Sequence, residues 1–216
     1  MTKRYAPATE RNRESILQVL CETLPEHGTV LEVAAGTGQH AAFFSQHLEP
    51  RFWLPTDMGA ANLASIDSWR EEVSSSNLLP PRELDVRDTV WPVQHALPAP
   101  ISAVVNINMV HISPWECCTA LFSGAARLLP SHGVVIMYGP FKCEGQHTAA
   151  SNARFDSQLR SENPEWGVRD LEAVTDAARV CGFERRAVIE MPANNLSLVY
   201  GRTAEDSANA SRPDAP

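Results

Sequence analysis

The sequence contains no C-x-x-C pair, no H-x-x-x-H pair and no apolar run long enough to span a bilayer. Each absence removes a class of protein. The five cysteines (Cys21, Cys117, Cys118, Cys143 and Cys181) are odd in number and two are adjacent, so neither a disulfide framework nor a zinc knuckle is indicated. No cluster of metal-ligating residues is visible, and no metal is expected. An N-terminal apolar signal region is also missing, so reduced thiols and a cytoplasmic localisation are expected. Positive charge is in deficit: 18 Lys and Arg face 26 Asp and Glu, for a net charge of −8. Non-specific nucleic-acid binding releases counterions from basic surface, so no nucleic-acid partner is expected, nor a membrane. What remains is an ordinary globular composition, 44% hydrophobic over 216 residues, enough for one domain with a sizeable core.

The stretch from Thr29 to His40, TVLEVAAGTGQH, organises the chain. Val30, Leu31 and Val33 favour a buried strand, and Glu32 is the single charge among them. Gly36 and Gly38 then supply a tight turn. Ala41, Phe44 and Leu48 follow at roughly helical spacing, so a helix begins just after the glycines. Such a turn aims free backbone N–H groups at a ligand. Two cofactor classes use it. Gly36-x-Gly38-x-x-Ala41 fits the dinucleotide fingerprint loosely, whereas Glu32-x-x-x-Gly36-x-Gly38 fits S-adenosylmethionine (SAM) sites. A carboxylate in the strand gives nothing to a pyrophosphate but suits a zwitterionic amino acid beside a sulfonium.

The rest of the chain alternates strands and helices. A helix from Thr9 carries Ile16, Val19, Leu20 and Leu24. Phe52–Pro55 reads as a second strand closed by Asp57, about 20 residues after the turn, where a ribose-binding acid belongs. Arg82–Val86 offers a short third strand with Asp85 at its end. Ile101–His111 is a nearly unbroken apolar run, as a strand covered on both faces requires, with Asn106, Asn108 and His111 towards its C-terminal end. Ser113 and Glu116 have capping-box spacing around Pro114. A fifth strand, Gly133–Tyr138, precedes a long insert near residues 141–169. Glu184–Met191 and Leu196–Arg202 read as a closing hairpin. The tail 204–216 is small and polar, and is expected to be disordered. A single domain over residues 1–203 is expected.

Several motifs together resemble the methyltransferase-like protein 26 group. They are Glu10-Arg11-Asn12, the turn Leu31–Ala41, Ile107–Ser113, Tyr138-Gly139-Pro140-Phe141, Ser151-Asn152, Phe155-Asp156, Asn163–Asp170 and Met191–Asn195. Ala35 stands where the family often has Ser, removing a possible hydroxyl contact. The resemblance implies an α/β, Rossmann-like class I SAM-dependent methyltransferase fold. Its sheet would be mostly parallel and seven-stranded, with helices on both faces and a C-terminal β-hairpin. It implies no particular substrate. SAM, with S-adenosylhomocysteine as product, is then the expected cofactor, held by Glu32, Ala34, Gly36, Gly38, Gln39, Asp57, Met58, Asp85, Val86 and Asn106.

Methyl transfer from a sulfonium needs orientation more than acid–base help. His111 is the candidate base and Tyr138 a candidate bond to the acceptor. Arg11, Asn12, Asn152, Phe155, Asp156, Trp166 and Arg169 are expected to form an acceptor pocket. There the first helix meets the insert, which acts as a lid. The acceptor is expected to be a small molecule. Cys117 and Cys118 are read as core. A non-catalytic SAM-binding protein is the alternative. A nicotinamide oxidoreductase is less favoured: Tyr138-x-x-x-Lys142 has the right spacing, but Gly139-Pro140 precludes the helix it needs.

Overall fold

The computed structural model describes residues 3–73 and 75–203; the expected tail disorder falls outside them. In chain order the elements are α1 (Pro7–Thr23), β1 (Thr29–Val33), α2 (Gln39–Ser45), β2 (Phe52–Asp57), α3 (Ala60–Glu72), β3 (Arg82–Glu83), β4 (Ile101–Ile107) and α4 (Trp115–Leu128). Then come β5 (Val134–Gly139), β6 (Phe141–Cys143), β7 (Gln146–His147), α5 (Ala150–Glu162), β8 (Arg169–Asp170), α6 (Leu171–Val180), β9 (Phe183–Met191) and β10 (Asn195–Arg202). Seven strands form one sheet in the order β3-β2-β1-β4-β5-β10-β9. All of its pairings are parallel except those of β10, which runs antiparallel to both β5 and β9. The sheet, the helices on both faces and the C-terminal hairpin are the class I methyltransferase architecture.

The two faces follow from the two-residue period of a strand. Leu31, Val33, Val104, Val135 and Met137 point to one face and pack with Leu121, Phe122, Val174 and Ala178 of α4 and α6. Val30, Ala103, Val105, Val134 and Ile136 point to the other and pack with Ile16, Leu20 and Phe44 of α1 and α2. The strand order turns back between β1 and β4, and a crevice opens beyond their C-terminal ends. Such a switch point is where open α/β sheets bind ligands.

Three local expectations change. The third strand pairs only over Arg82–Glu83, leaving Asp85 in the following loop. The capping box at α4 does not form: Pro114 is the N-cap, and Ser113 Oγ instead donates to Met109 O at 2.8 Å. The chain before it turns through a 3-10 segment, Met109–His111, which directs Ser113 backwards. The insert is more structured than a lid loop. Its strands form a second small sheet, β7-β6-β8, against which α5 lies.

Candidate cofactor and acceptor site

The turn between β1 and α2 separates the work of its two glycines. Gly36 has φ +60°, and a Cβ there would meet nothing within 4 Å. Its N–H donates to Asp57 Oδ2 at 3.0 Å. Gly38 has φ +87°, and a Cβ there would lie 2.6 Å from Ile66 Cα. Gly36 therefore leaves open space on the crevice side, and Gly38 permits α3 to approach the turn. Asp57, at the tip of β2, also accepts from Gly59 N at 2.9 Å and Asn62 Nδ2 at 3.0 Å. Three donors fix its carboxylate at the crevice edge, the position a ribose-binding acid requires.

A cavity of about 440 Å³ opens there. Ala34, Gly36, Asp57 and Met58 line one side, Leu84, Asp85, Val86 and Arg87 another, and Ile107, Met109, Ile112, Ser113, Pro114, Cys117 and Trp166 the rest. Asp85 pairs with Arg87 at 2.6 Å, and that hydrogen-bonded guanidinium holds its carboxyl below the usual range. A second cavity of about 510 Å³ is lined by Ala8, Arg11, Asn12, Asn108, Tyr138, Pro140, Ser151, Asn152, Phe155, Pro192, Ala193 and Asn195. The two meet the end of β4 at adjacent residues, Ile107 on the first and Asn108 on the second. Asn108 adopts φ +64°, a left-handed turn that Asn tolerates.

Six of the ten residues assigned to the cofactor line the first cavity: Ala34, Gly36, Asp57, Met58, Asp85 and Val86. Gly38, Gln39, Asn106 and Glu32 do not line it. Gln39 Oε1 accepts from Ala6 N and pins the entry to α1. Asn106 is buried and its Nδ2 donates to Val33 O at 3.1 Å, while its Oδ1 has no partner. Glu32 points to the α1–α2 face, 1% exposed, and accepts from Trp53 Nε1 at 2.7 Å. Burial raises its pKa to about 8, offset in part by the Trp53 hydrogen bond. Its role therefore moves from cofactor contact to buried, protonated support.

That assignment has a measurable consequence. A carboxyl whose pKa rises on folding contributes fully below its unfolded value near 4.5, and that contribution is lost as pH rises through about 8. At pH 7 the protein therefore carries a penalty of roughly 1–3 kcal/mol, which Glu32→Gln removes while keeping an acceptor for Trp53. The variant is expected to melt higher at pH 7, to show little gain at pH 4, and to bind SAM normally. Weakened SAM binding with no gain in stability would return Glu32 to the cofactor.

Four of the seven expected acceptor residues, Arg11, Asn12, Asn152 and Phe155, line the second cavity together with Tyr138. Ala8, Arg11 and Asn12 share one face of α1. Asn152 Nδ2 donates to Asn194 O at 2.8 Å, tying α5 to the β9–β10 connection. Trp166 instead walls the cofactor cavity. Asp156 and Arg169 line neither cavity, because their groups are consumed structurally. Asp156 accepts from Val168 N at 2.8 Å and pairs with Arg160, Lys142 and His147. Arg169 clasps three backbone carbonyls, Val110 O at 2.8 Å, Ser113 O at 2.6 Å and Glu165 O at 2.7 Å.

His111 is the largest correction. It is 0% exposed and lines neither cavity. Its ring packs edge-on to Phe141 with centroids 4.9 Å apart, and its Nδ1 faces Arg169 N at 3.4 Å. Burial, helped by the Arg169 charge, lowers its pKa to about 3. A base must reach the proton it abstracts, and this imidazole is sealed from both cavities. Cys118 is likewise core, its thiol pushed up to about 12 by burial. Cys117 is buried but edges the cofactor cavity.

Sequence reasoning passed over Asn62, Leu84, Arg87, Met109, Ile112, Pro114, Pro192, Ala193 and Asn195 as site residues. Some carried a signal. Met109–Ser113 and Met191–Asn195 belong to the motifs that single this chain out, and Asn108 interrupts β4 at its crevice end.

The family model described as "Protein of unknown function (DUF938)" matches residues 3–202. Among solved structures, the chain is similar to the SAM-dependent methyltransferase SibL in its apo form, at 15% identity and a TM-score of 0.74, covering 91% of this chain and 56% of that one. Human N-acetylserotonin methyltransferase in complex with SAM matches at 12% identity and a TM-score of 0.73, over 91% of this chain and 53% of that one. The PH0226 protein of Pyrococcus horikoshii OT3 matches at 14% identity and a TM-score of 0.70, covering 94% of both chains. This chain thus spans little more than half the length of the first two. At these identities the likeness concerns the fold.

Proposed function

This chain belongs to the DUF938 family, and from its site we propose that it is a SAM-dependent methyltransferase acting on a small molecule. The finer resemblance to the methyltransferase-like protein 26 group is part of the same reading. The observation that carries it is a pair of cavities lined by adjacent residues at the end of β4, Ile107 and Asn108, one bounded by Asp57 and Gly36, the other roofed by α1 and α5. The fit to SAM is supported by the open cradle at Gly36 and by the fixed Asp57 carboxylate, which keeps one lone pair on Oδ2 for a ribose hydroxyl. Asp85 and Val86 would flank the adenine, with Trp166 and Met58 as apolar walls. When bound, SAM supplies an electrophilic methyl carried on a sulfonium.

The chain's own residues orient and enclose. Asn12 Oδ1 accepts from His40 Nε2 at 2.9 Å, and Asn12 and Tyr138 line the second cavity together. Burial raises the Tyr138 pKa, so at neutral pH its hydroxyl stays protonated and available to an acceptor. α1 and α5 wall the second cavity and would limit the access of water to a bound acceptor. No histidine or carboxylate lines that cavity, so the acceptor atom must be nucleophilic without a protein base.

Calorimetry with SAM, S-adenosylhomocysteine and NADH is the direct test, followed by methyl transfer from labelled SAM into a metabolite extract. Both SAM and its product are expected to bind, NADH is not, and a low-molecular-mass product is expected to carry label. Binding without transfer to any metabolite would favour the non-catalytic alternative; NADH binding would favour the oxidoreductase.

A further inference from the structure

The two cavities differ in sign. The cofactor cavity has two carboxylates, Asp57 and Asp85, and one guanidinium, Arg87, for a net charge of −1. The acceptor cavity has one charged residue, Arg11, for a net charge of +1 in a protein of net charge −8. Arg11 makes no hydrogen bond or ion pair among the described residues, although its neighbour Arg13 pairs with Glu14 at 3.9 Å. Its place is set: α1 carries it on the same face as Ala8 and Asn12, above the cavity.

Some of the other polar groups there also keep a donor free, although Asn195 spends its Nδ2 on Pro192 O. The His40 imidazole is neutral, since burial lowers its pKa to about 4. Its bond to Asn12 Oδ1 has Nε2–H as donor, because an amide oxygen only accepts, and this orients the Asn12 amide. That leaves Asn12 Nδ2 as a donor on the cavity wall, which the Tyr138 hydroxyl also lines. Ser151 Oγ accepts from Asn194 Nδ2 at 3.2 Å, which leaves its own proton free. Asn152 spends its Nδ2 on Asn194 O and Thr148 Oγ1. Beyond two further amides, Asn108 and Asn195, the remaining wall is apolar, with Phe155 36% exposed beside Pro140 and Pro192.

We propose that the acceptor is a small organic carboxylate with an apolar or aromatic body, its oxygens held by Arg11 and Tyr138. A guanidinium forks onto a carboxylate with two parallel bonds, and a phenolic O–H adds a third. A phosphate ester is the poorer match: the first turns of α1 and α5 border the cavity through Ala8, Ser151 and Asn152, but it offers only one cation, Arg11, to a dianion. The apolar wall requires a hydrophobic body, and a cavity of about 510 Å³ admits one of modest size.

This inference rests on the methyltransferase reading, and its test separates the two. Full-length protein is titrated with S-adenosylhomocysteine, then, in its presence, with phenylacetate, cinnamate and octanoate and with their primary amides. The acids are expected to bind at least about 10-fold tighter than the amides, as a charge-assisted bidentate pair implies. Arg11→Ala is expected to abolish the difference, and Arg11→Lys to keep part of it; both should bind S-adenosylhomocysteine as the wild type does. If S-adenosylhomocysteine itself does not bind, the methyltransferase reading fails. If it binds but acids and amides bind equally, or no acid binds at millimolar concentration, the carboxylate inference alone is overturned.

Discussion

Asp57→Ala is expected to weaken SAM binding by about 100-fold, roughly 3 kcal/mol, measured by calorimetry at pH 7. The loss has two sources. The variant loses the acceptor proposed for a ribose hydroxyl, and a hydrogen bond to a charged group contributes about 1.5–3 kcal/mol. It also releases the turn, because Gly36 N, Gly59 N and Asn62 Nδ2 all donate to this one carboxylate. Asp57→Asn keeps one oxygen acceptor and is expected to fall between the two, near 10-fold. Both variants should remain folded, since Asp57 sits at the sheet's edge and Leu54 and Trp53, deeper in β2, carry its packing. Unchanged affinity in the alanine variant would remove ribose from this site and detach the cofactor assignment from the β1–β2 crevice.

The strand pattern was legible because every central strand is apolar on both faces, and the closing hairpin was legible from its turn residues. Spacing alone places Asp57 at the crevice, as the sheet geometry fixes how far the second strand tip lies from the glycine turn. The motif assigns Glu32 to the cofactor, and the crevice end of the fourth strand assigns Asn106; for Glu32 the pattern held a check. Strand parity already argued otherwise: Leu31 and Val33 face α4, so Glu32 must face α1 and α2. For Arg169 and Asp156 the sequence offered no such check. A polar side chain in an insert reads the same whether it meets ligand or clasps backbone, and only the return of β8 beside β6 decides it. Trp166 moved between cavities for that reason. Gly167 N bonds His111 O at 2.9 Å, carrying Trp166 over the cofactor side of β4 rather than the α1 side.

His111→Ala is expected to cost about 3 kcal/mol of stability at pH 7, through a cavity against Phe141 and a lost partner for the β8 backbone. Its effect on turnover should follow the folded fraction. The pH dependence supplies a second readout. The His111 pKa falls from 6.5 to about 3 on folding, and that of His40 to about 4. Burial is the main cause in both; Arg169 depresses His111 further while Gly167 and Asp156 oppose it, and Arg13 depresses His40. Both rings are neutral in the native state and take up protons only when unfolded below about pH 6.5. The unfolded state then binds more protons, so stability is complete above that pH and declines as pH falls. Each ring contributes a slope of about 1.4 kcal/mol per pH unit, continuing until its folded pKa is reached. Denaturation between pH 6.5 and 4 should therefore show roughly 3 kcal/mol per pH unit from the pair, and His111→Ala should remove about half of it. A catalytic base would leave a different signature. The variant would keep its melting temperature and its acid slope, and turnover would fall with loss of a limb near pH 6.5. Urea titrations at four pH values beside a pH–rate profile distinguish the two outcomes. The sealed ring between β8 and Phe141 commits the protein to the first.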